Sequence, residues 1–295
     1  ILMLFCTTSG ESELITTNWS GCTAPQLVLR IAQRSEVIGG RKLAVPICAT
    51  RIEHADLVLI ESTYGNRNHR PFAATLEELA SIIRGAADGG GNILIPAFAV
   101  GRTQDLLYLL AQHYDQWGLR RWQVYLDSPM AIETTQLYRR HADLQRRPLF
   151  DENQRAPLAK AIASETSEDS MRINAIESGA IVIAGSGMCT GGRILHHLKH
   201  NLWRRECHVI MIGFQANGTL GRRLVDGAER VRLWQETIKV EATVHTVGGL
   251  SAHADQAGLL AWYEGFAGRP PVQIVHGEPM AQHALAGELR ERFGA

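Results

Sequence analysis

The chain has 295 residues, 45% of them hydrophobic, with 30 Lys plus Arg set against 30 Asp plus Glu. That much apolar sequence can bury one large α/β core or two moderate ones, which excludes a small disulfide scaffold. Zero net charge excludes a protein-wide positive field, so any nucleic-acid binding has to rest on a local basic groove.

Residues 1–42 show a helix-like apolar spacing only at 26–34. The start, Ile1-Leu2-Met3-Leu4-Phe5-Cys6, is far shorter than the ~20 residues of a membrane span. From about residue 43, short aliphatic runs alternate with helical patterns. A strand is expected at 57–60, an amphipathic helix at 74–87, a buried strand at 92–96 and a helix at 103–114. The strand 124–126 leads to Asp127-Ser128-Pro129, a serine cap followed by a proline at the first helical position. Residues 143–170 are polar and charged, in keeping with surface helices or loops. Next come a strand at 180–184, a helix at 191–202 and a strand at 209–213. An alternating strand at 238–246, a helix at 256–266, a strand at 272–275 and a helix at 280–293 complete the chain. Strands alternating with helices argue for a mainly parallel sheet covered on both faces. The five cysteines, Cys6, Cys22, Cys48, Cys189 and Cys207, lack C-x-x-C spacing, which points to a reducing, cytoplasmic setting.

The residues able to carry chemistry stand where these strands end. Glu61 closes the run at 57–60 just ahead of Ser62-Thr63-Tyr64-Gly65, where a carboxylate either caps a turn or faces a cleft. His253 lies in Gly248-Gly249-Leu250-Ser251-Ala252-His253-Ala254-Asp255, where it can cap the next helix or give a proton to a leaving oxygen. His276 follows the strand 272–275, and Gly277 beside it leaves room for the imidazole to reach a metal. Gly185-Ser186-Gly187-Met188 reads as a plain strand-to-helix turn or as a cradle of backbone amides for a phosphate. It has neither a Walker lysine nor a G-x-S-x-G frame, which argues against an NTPase or a serine-hydrolase elbow. His196, His197 and His200 invite a metal reading because positions 196 and 200 share a helix face, but no acidic residue lies in their run, so a polar rim is favoured over a metal site. Arginine pairs such as Arg120-Arg121 and Arg222-Arg223 read as solvated faces, some of them able to line a nucleic-acid path.

Six motifs in order are Glu61-Ser62-Thr63-Tyr64-Gly65, Pro96-Ala97-Phe98-Ala99-Val100-Gly101-Arg102-Thr103-Gln104, Tyr125-Leu126-Asp127-Ser128-Pro129-Met130-Ala131, Gly185-Ser186-Gly187-Met188, Ser251-Ala252-His253-Ala254-Asp255 and Val275-His276-Gly277-Glu278. Together they resemble the β-CASP branch of the metallo-β-lactamase fold, which includes RNA-processing nucleases related to the mRNA 3′-end cleavage nuclease. The resemblance implies an α/β chain: a partial metallo-β-lactamase αββα sandwich with an inserted Rossmann-like β-CASP domain. The expected divisions are an unassigned segment at 1–42, a metallo-β-lactamase remnant at 43–69, the β-CASP domain at 70–235 and a C-terminal metallo-β-lactamase segment at 236–295. It further implies Glu61 and His253 as catalytic residues, His276 as a ligand to one of two zinc ions, and Arg102, Ser186 and Gly187 as contacts to RNA phosphate. The implied reaction is exo- or endonucleolytic hydrolysis of an RNA phosphodiester. RNA is the expected partner, with no membrane and with a homodimer as the candidate assembly.

The sequence departs from that family in one respect. The family draws its other metal ligands from H-x-H-x-D-H, a further His and a further Asp upstream of the Glu61 motif, whereas residues 1–53 contain no His and no Asp. The expectation is therefore a chain that is incomplete and inactive alone. The rival readings are a noncatalytic RNA-binding or scaffold subunit and a metallo-β-lactamase-fold hydrolase of a small substrate.

Overall fold

The computed structural model describes Phe5–Thr7 and residues 53–141 and 161–295. The helical spacing at 26–34 and most of the charged stretch at 143–170 lie outside the described residues. In chain order the elements are β1 (Phe5–Thr7), β2 (Leu57–Glu61), α1 (Phe72–Gly89), β3 (Ile93–Pro96), α2 (Arg102–Gln112), β4 (Gln123–Asp127), α3 (Pro129–Arg140) and β5 (Ile162–Ala163). They continue with α4 (Ser167–Asn174), β6 (Ala180–Ala184), α5 (Ile194–Asn201), β7 (His208–Met211), α6 (Leu220–Val225), β8 (Arg230–Leu233), β9 (Glu236–Lys239), β10 (Thr243–Thr246), α7 (Gln256–Glu264), β11 (Val272–Val275) and α8 (Pro279–Phe293). These form two compact units, one from the described residues up to His69 together with Ala252–Ala295, the other from Arg70–Ser251.

In the first unit β2 is the middle strand of three, antiparallel to β1 and parallel to β11. Val58 and Ile60 on one side of β2 pack with Leu259, Tyr263 and Phe266 of the α7 region and with Leu285 and Leu289 of α8. The Tyr263 hydroxyl donates to the Pro270 carbonyl at 2.7 Å, which ties α7 to the approach of β11.

The second unit carries a six-stranded sheet in the order β10-β7-β3-β6-β4-β5, parallel at every pairing. Because side chains alternate across a strand, both faces of its central strands are apolar. Ile93, Ile95, Ile181 and Ile183 bury one face against α1, α2 and α3. Leu94, Ala180, Val182 and Ala184 bury the other against α4, α5, α6 and the β8–β9 hairpin. This is the parallel sheet covered on both faces that the alternation predicts, in the Rossmann-like α/β form that the resemblance implies. Ser128 caps α3 as the Ser-Pro pair indicated, accepting from the Ala131 amide at 3.4 Å with Pro129 at the helix start.

The single strand expected at 238–246 is corrected. The β9 strand ends at Lys239 and pairs antiparallel with β8, and β10 begins at Thr243 and joins the edge of the parallel sheet beside β7. The link between them is held from outside. The Val240 amide donates to Glu229 O, and the Glu241 and Ala242 amides both donate to Leu202 O. The alternating pattern thus covers two strands in different sheets.

Candidate functional site at the end of β2

Parallel pairing places Val275 opposite Glu61, so the residues that leave β2 and β11 emerge side by side. The next residues lock that arrangement. The Ser62 amide donates to His276 O at 2.8 Å, and the Ser62 hydroxyl lies 3.2 Å from Val275 O and 3.3 Å from His276 O. His276 turns out of the strand at φ 48, a left-handed backbone conformation that few non-glycine residues adopt. Gly277 passes so close to Ser62 that a Cβ would stand 2.2 Å from its Oγ and 2.8 Å from its carbonyl carbon. The close approach that aims the His276 ring therefore depends on glycine.

His253 reaches the same place from the loop before α7. Asp255 caps that helix, accepting from the Gly258 amide at 2.9 Å, while its other oxygen accepts from the His69 amide at 3.0 Å. The loop after β2 is joined to it at several further points: His69 Nε2 lies 2.9 Å from His253 O, Gln256 donates to Gly65 O, and the Ala257 amide donates to Asn68. These contacts fix the backbone from His253 into α7.

Glu61, His253 and His276 converge, each offering one ligand atom, with all three atoms within 4.8 Å of one another. Glu61 is only 2% exposed, whereas 24% of the His253 side chain is open to solvent. Glu61 Oε2 accepts from the Thr63 amide at 2.7 Å and lies 3.3 Å from His253 Nδ1. Among the described residues, Glu61 Oε1 is buried without a hydrogen-bond partner. The Thr63 hydroxyl stands between the rings, 3.2 Å from His253 Nδ1 and 3.0 Å from His276 Nδ1, and the rings stack at 5.3 Å. Burial pushes the Glu61 carboxyl up, but the hydrogen bond and charge of His253 and the Thr63 contacts outweigh it and hold the group below its ordinary value. An ionised carboxylate only accepts, so the proton facing it belongs to His253 Nδ1, which leaves Nε2 to point elsewhere. The Thr63 hydroxyl can donate to or accept from His276 Nδ1, and in the tautomer that donates from Nδ1 the His276 Nε2 lone pair is left for a metal.

Arg102, Ser186 and Gly187 lie in the second unit, following the adjacent parallel strands β3 and β6. The chain leaves β3 toward β4 on one side and leaves β6 toward β7 on the other, so a topological switch point lies between them. The two segments touch there. A Cβ on Gly187 would stand 2.8 Å from the Phe98 ring. Arg102 is engaged with Asp105 at 3.3 Å, and Ser186 Oγ accepts from the Thr190 amide at 2.9 Å and the Gly191 amide at 3.3 Å.

Comparison with known proteins matches residues 103–224 to the Beta-Casp domain and residues 237–295 to the Zn-dependent metallo-hydrolase RNA specificity domain. The chain belongs to the β-CASP family of metallo-β-lactamase-fold RNA nucleases. It is similar to Ribonuclease TTHA0252 of Thermus thermophilus, 42% identical over 243 residues that make up 81% of this chain and 55% of that protein. It is also similar to the Transcription termination factor FttA of Pyrococcus abyssi, 33% identical over 81% of this chain and 39% of the factor. An RNase J-like protein of Methanocaldococcus jannaschii is 30% identical over 78% of this chain and 53% of its own length. The chain thus spans between about two fifths and a little over half of these β-CASP relatives.

One polar cluster of the second unit escaped the sequence reading. Asp127, at the end of β4 and fully buried, binds Arg193 Nη1 at 2.7 Å through Oδ1, and through Oδ2 it meets the Ser170 hydroxyl at 2.6 Å and His197 Nε2 at 2.5 Å. His197 Nδ1 lies 2.8 Å from Asn174 Oδ1. The histidine with an acidic partner is therefore His197, between the two candidates on the other face, and that partner comes from 70 residues away. Its only signals in the sequence were Asp127 at a strand end and a third histidine in the helix.

Proposed function

We propose that this chain belongs to a metal-dependent phosphodiester hydrolase acting on RNA, exo- or endonucleolytic, and that the Glu61–His253–His276 cluster is its surviving share of the reaction centre. In this reading 43–69 and 236–295 are metallo-β-lactamase parts flanking a β-CASP domain at 70–235. The convergence of the three donors at the end of β2 carries the reading. The families matched, one of them described as Zn-dependent, support it.

The donors fit a zinc ion. Glu61 Oε1 is a buried oxygen without a partner, and an imidazole nitrogen beside a carboxylate is an ordinary zinc donor set. His276 would hold the ion through a ring nitrogen, with Glu61 as the carboxylate donor beside it. When bound, zinc supplies Lewis acidity to a phosphoryl oxygen. Glu61 holds the His253 proton at Nδ1 and orients the ring, and the exposed edge of His253 exchanges a proton with the leaving oxygen of the RNA. Arg102, Ser186 and Gly187 orient the phosphate backbone, a role supported by their place at the switch point. The absence of His and Asp from residues 1–53 supports a chain that does not cleave by itself, because the three donors that converge among the described residues suffice for one ion and not for two. The same absence favours the second reading, a noncatalytic RNA-binding subunit. Among the described residues, Cys189 and Cys207 are buried and free, consistent with a reducing, cytoplasmic setting. Among the described residues no helix is long and apolar enough to cross a membrane.

The test is cleavage of end-labelled RNA by the purified chain, alone and mixed with a separately expressed metallo-β-lactamase segment of a β-CASP relative. The proposal expects cleavage only in the mixture, abolished by His253→Ala. RNA binding with no cleavage under either condition favours the noncatalytic subunit.

A further inference from the structure

The β8–β9 hairpin of the second unit carries features that neither its fold nor the Glu61 cluster requires. Its register sets Val231 opposite Ile238 and Leu233 opposite Glu236, and Val231, Leu233 and Ile238 pack into the core beneath α5 and α6. The other face is formed by Arg230 opposite Lys239 and Arg232 opposite Thr237, all four exposed. That face holds three cations and no acid. Like charges placed directly opposite on neighbouring strands destabilise a hairpin, so the Arg230–Lys239 pair works against folding. Lys239 is neutralised in part by Glu241 beyond the strand end. Arg230 has no ion pair among the described residues, and Arg232 uses only Nε, donating to Trp234 O at 3.2 Å.

Trp234 sits at the tip of this hairpin, 52% exposed and at φ 53. The two-residue turn favours glycine or asparagine at such a backbone angle, so tryptophan there is unfavourable for the backbone and buries little. Its ring is nonetheless oriented from below. The His196 ring lies 4.7 Å away and Lys199 Nζ 5.9 Å from the centroid, and Lys199 is itself held by Glu236 at 2.6 Å. A buttressed, half-exposed aromatic at the tip of a hairpin whose outer face carries two guanidinium groups without ion pairs among the described residues offers the two elements that bind unpaired nucleic acid: a stacking platform and cations for the backbone.

We infer that the outer face of the β8–β9 hairpin is a binding surface for single-stranded RNA, with one base stacked on Trp234 and the adjoining phosphates held by Arg230 and Arg232. The inference stands apart from the Glu61 cluster, since its residues belong to the other unit and its readout is binding without cleavage.

The test uses the full chain and a fluorescein-labelled oligouridylate of about 20 nucleotides, titrated by anisotropy at several salt concentrations, with a 4-thiouridine version for crosslinking. Trp234→Ala is expected to weaken binding about tenfold, and Trp234→Phe to restore most of it. Replacing both Arg230 and Arg232 with Gln should flatten the slope of log K against log salt by about 1.4, the loss of two single-strand phosphate contacts. The crosslink should map to the peptide containing Trp234. Thermal melts of the variants, expected to match the parent, separate lost binding from lost folding. Affinities and salt slopes unchanged in both variants, with crosslinks elsewhere, would overturn the inference. So would a poly-glutamate peptide that binds as tightly as the RNA and is indifferent to Trp234→Ala, because the surface would then be a plain cationic patch.

Discussion

The molecule contains two buried carboxylates that end parallel strands and meet a histidine, and they are finished differently. Asp127 has both oxygens engaged, by Arg193 on one and by Ser170 and His197 on the other. Glu61 has one oxygen engaged and the other buried with no partner among the described residues. A buried polar atom left unpaired costs on the order of 1–3 kcal/mol, so the first arrangement suits a structural clamp and the second a site that awaits a ligand. Residue type and position do not separate the two pairs, since both are an acid at a strand end beside an imidazole. Satisfaction of the acid's second oxygen does.

The largest effect is expected where the network is complete. Asp127→Ala leaves Arg193 and His197 without their carboxylate and should destabilise the second unit by about 3–5 kcal/mol in urea titrations. A loss under about 1 kcal/mol would break the distinction. Acid offers a related test. Burial raises the Asp127 carboxyl, but its bonds to His197, Ser170, Ser164 and Arg193 prevail and hold it far below its ordinary 3.8. Its contribution is therefore fully present above pH 3.8 and is lost as the pH falls toward the folded value. Stability should decline there by up to about 1.4 kcal/mol per pH unit for this one proton, and Asp127→Asn should remove that part of the slope.

Gly277→Ala comes next, at roughly 1–3 kcal/mol, because the new methyl meets Ser62. Its sharper consequence is displacement of the His276 ring, visible as a shifted imidazole signal in the NMR spectrum. Glu61→Gln should cost least, under about 1 kcal/mol by thermal unfolding, because it replaces an acid with one unsatisfied oxygen by a neutral isostere. A large loss of stability on that substitution would make Glu61 a clamp like Asp127.

How far each feature could be read in advance follows from the range of the interactions behind it. Local patterns were legible: the buried runs at β3 and β6, the Ser128-Pro129 helix start, and the strand that delivers His276. Glu61, His253 and His276 were singled out as separate strand-end residues, with the family resemblance to link them. The shared Thr63 hydroxyl and the orphaned Glu61 oxygen emerge only once β2 and β11 pair. The β8–β9 hairpin was hidden because its turn, Trp234-Gln235, contains no glycine, asparagine or proline to announce it. His197 was grouped with His196 and His200 as a run without an acid, because its partner Asp127 is distant in sequence.

The most direct test of the Glu61 site is zinc stoichiometry of the purified chain, measured by elemental analysis alongside an RNA cleavage assay and repeated on His276→Ala. The account predicts no more than one zinc per chain, a lower content in His276→Ala, and no cleavage by the chain alone. Two tightly held zinc ions per chain together with RNA cleavage, or a zinc content indifferent to His276→Ala, would contradict it.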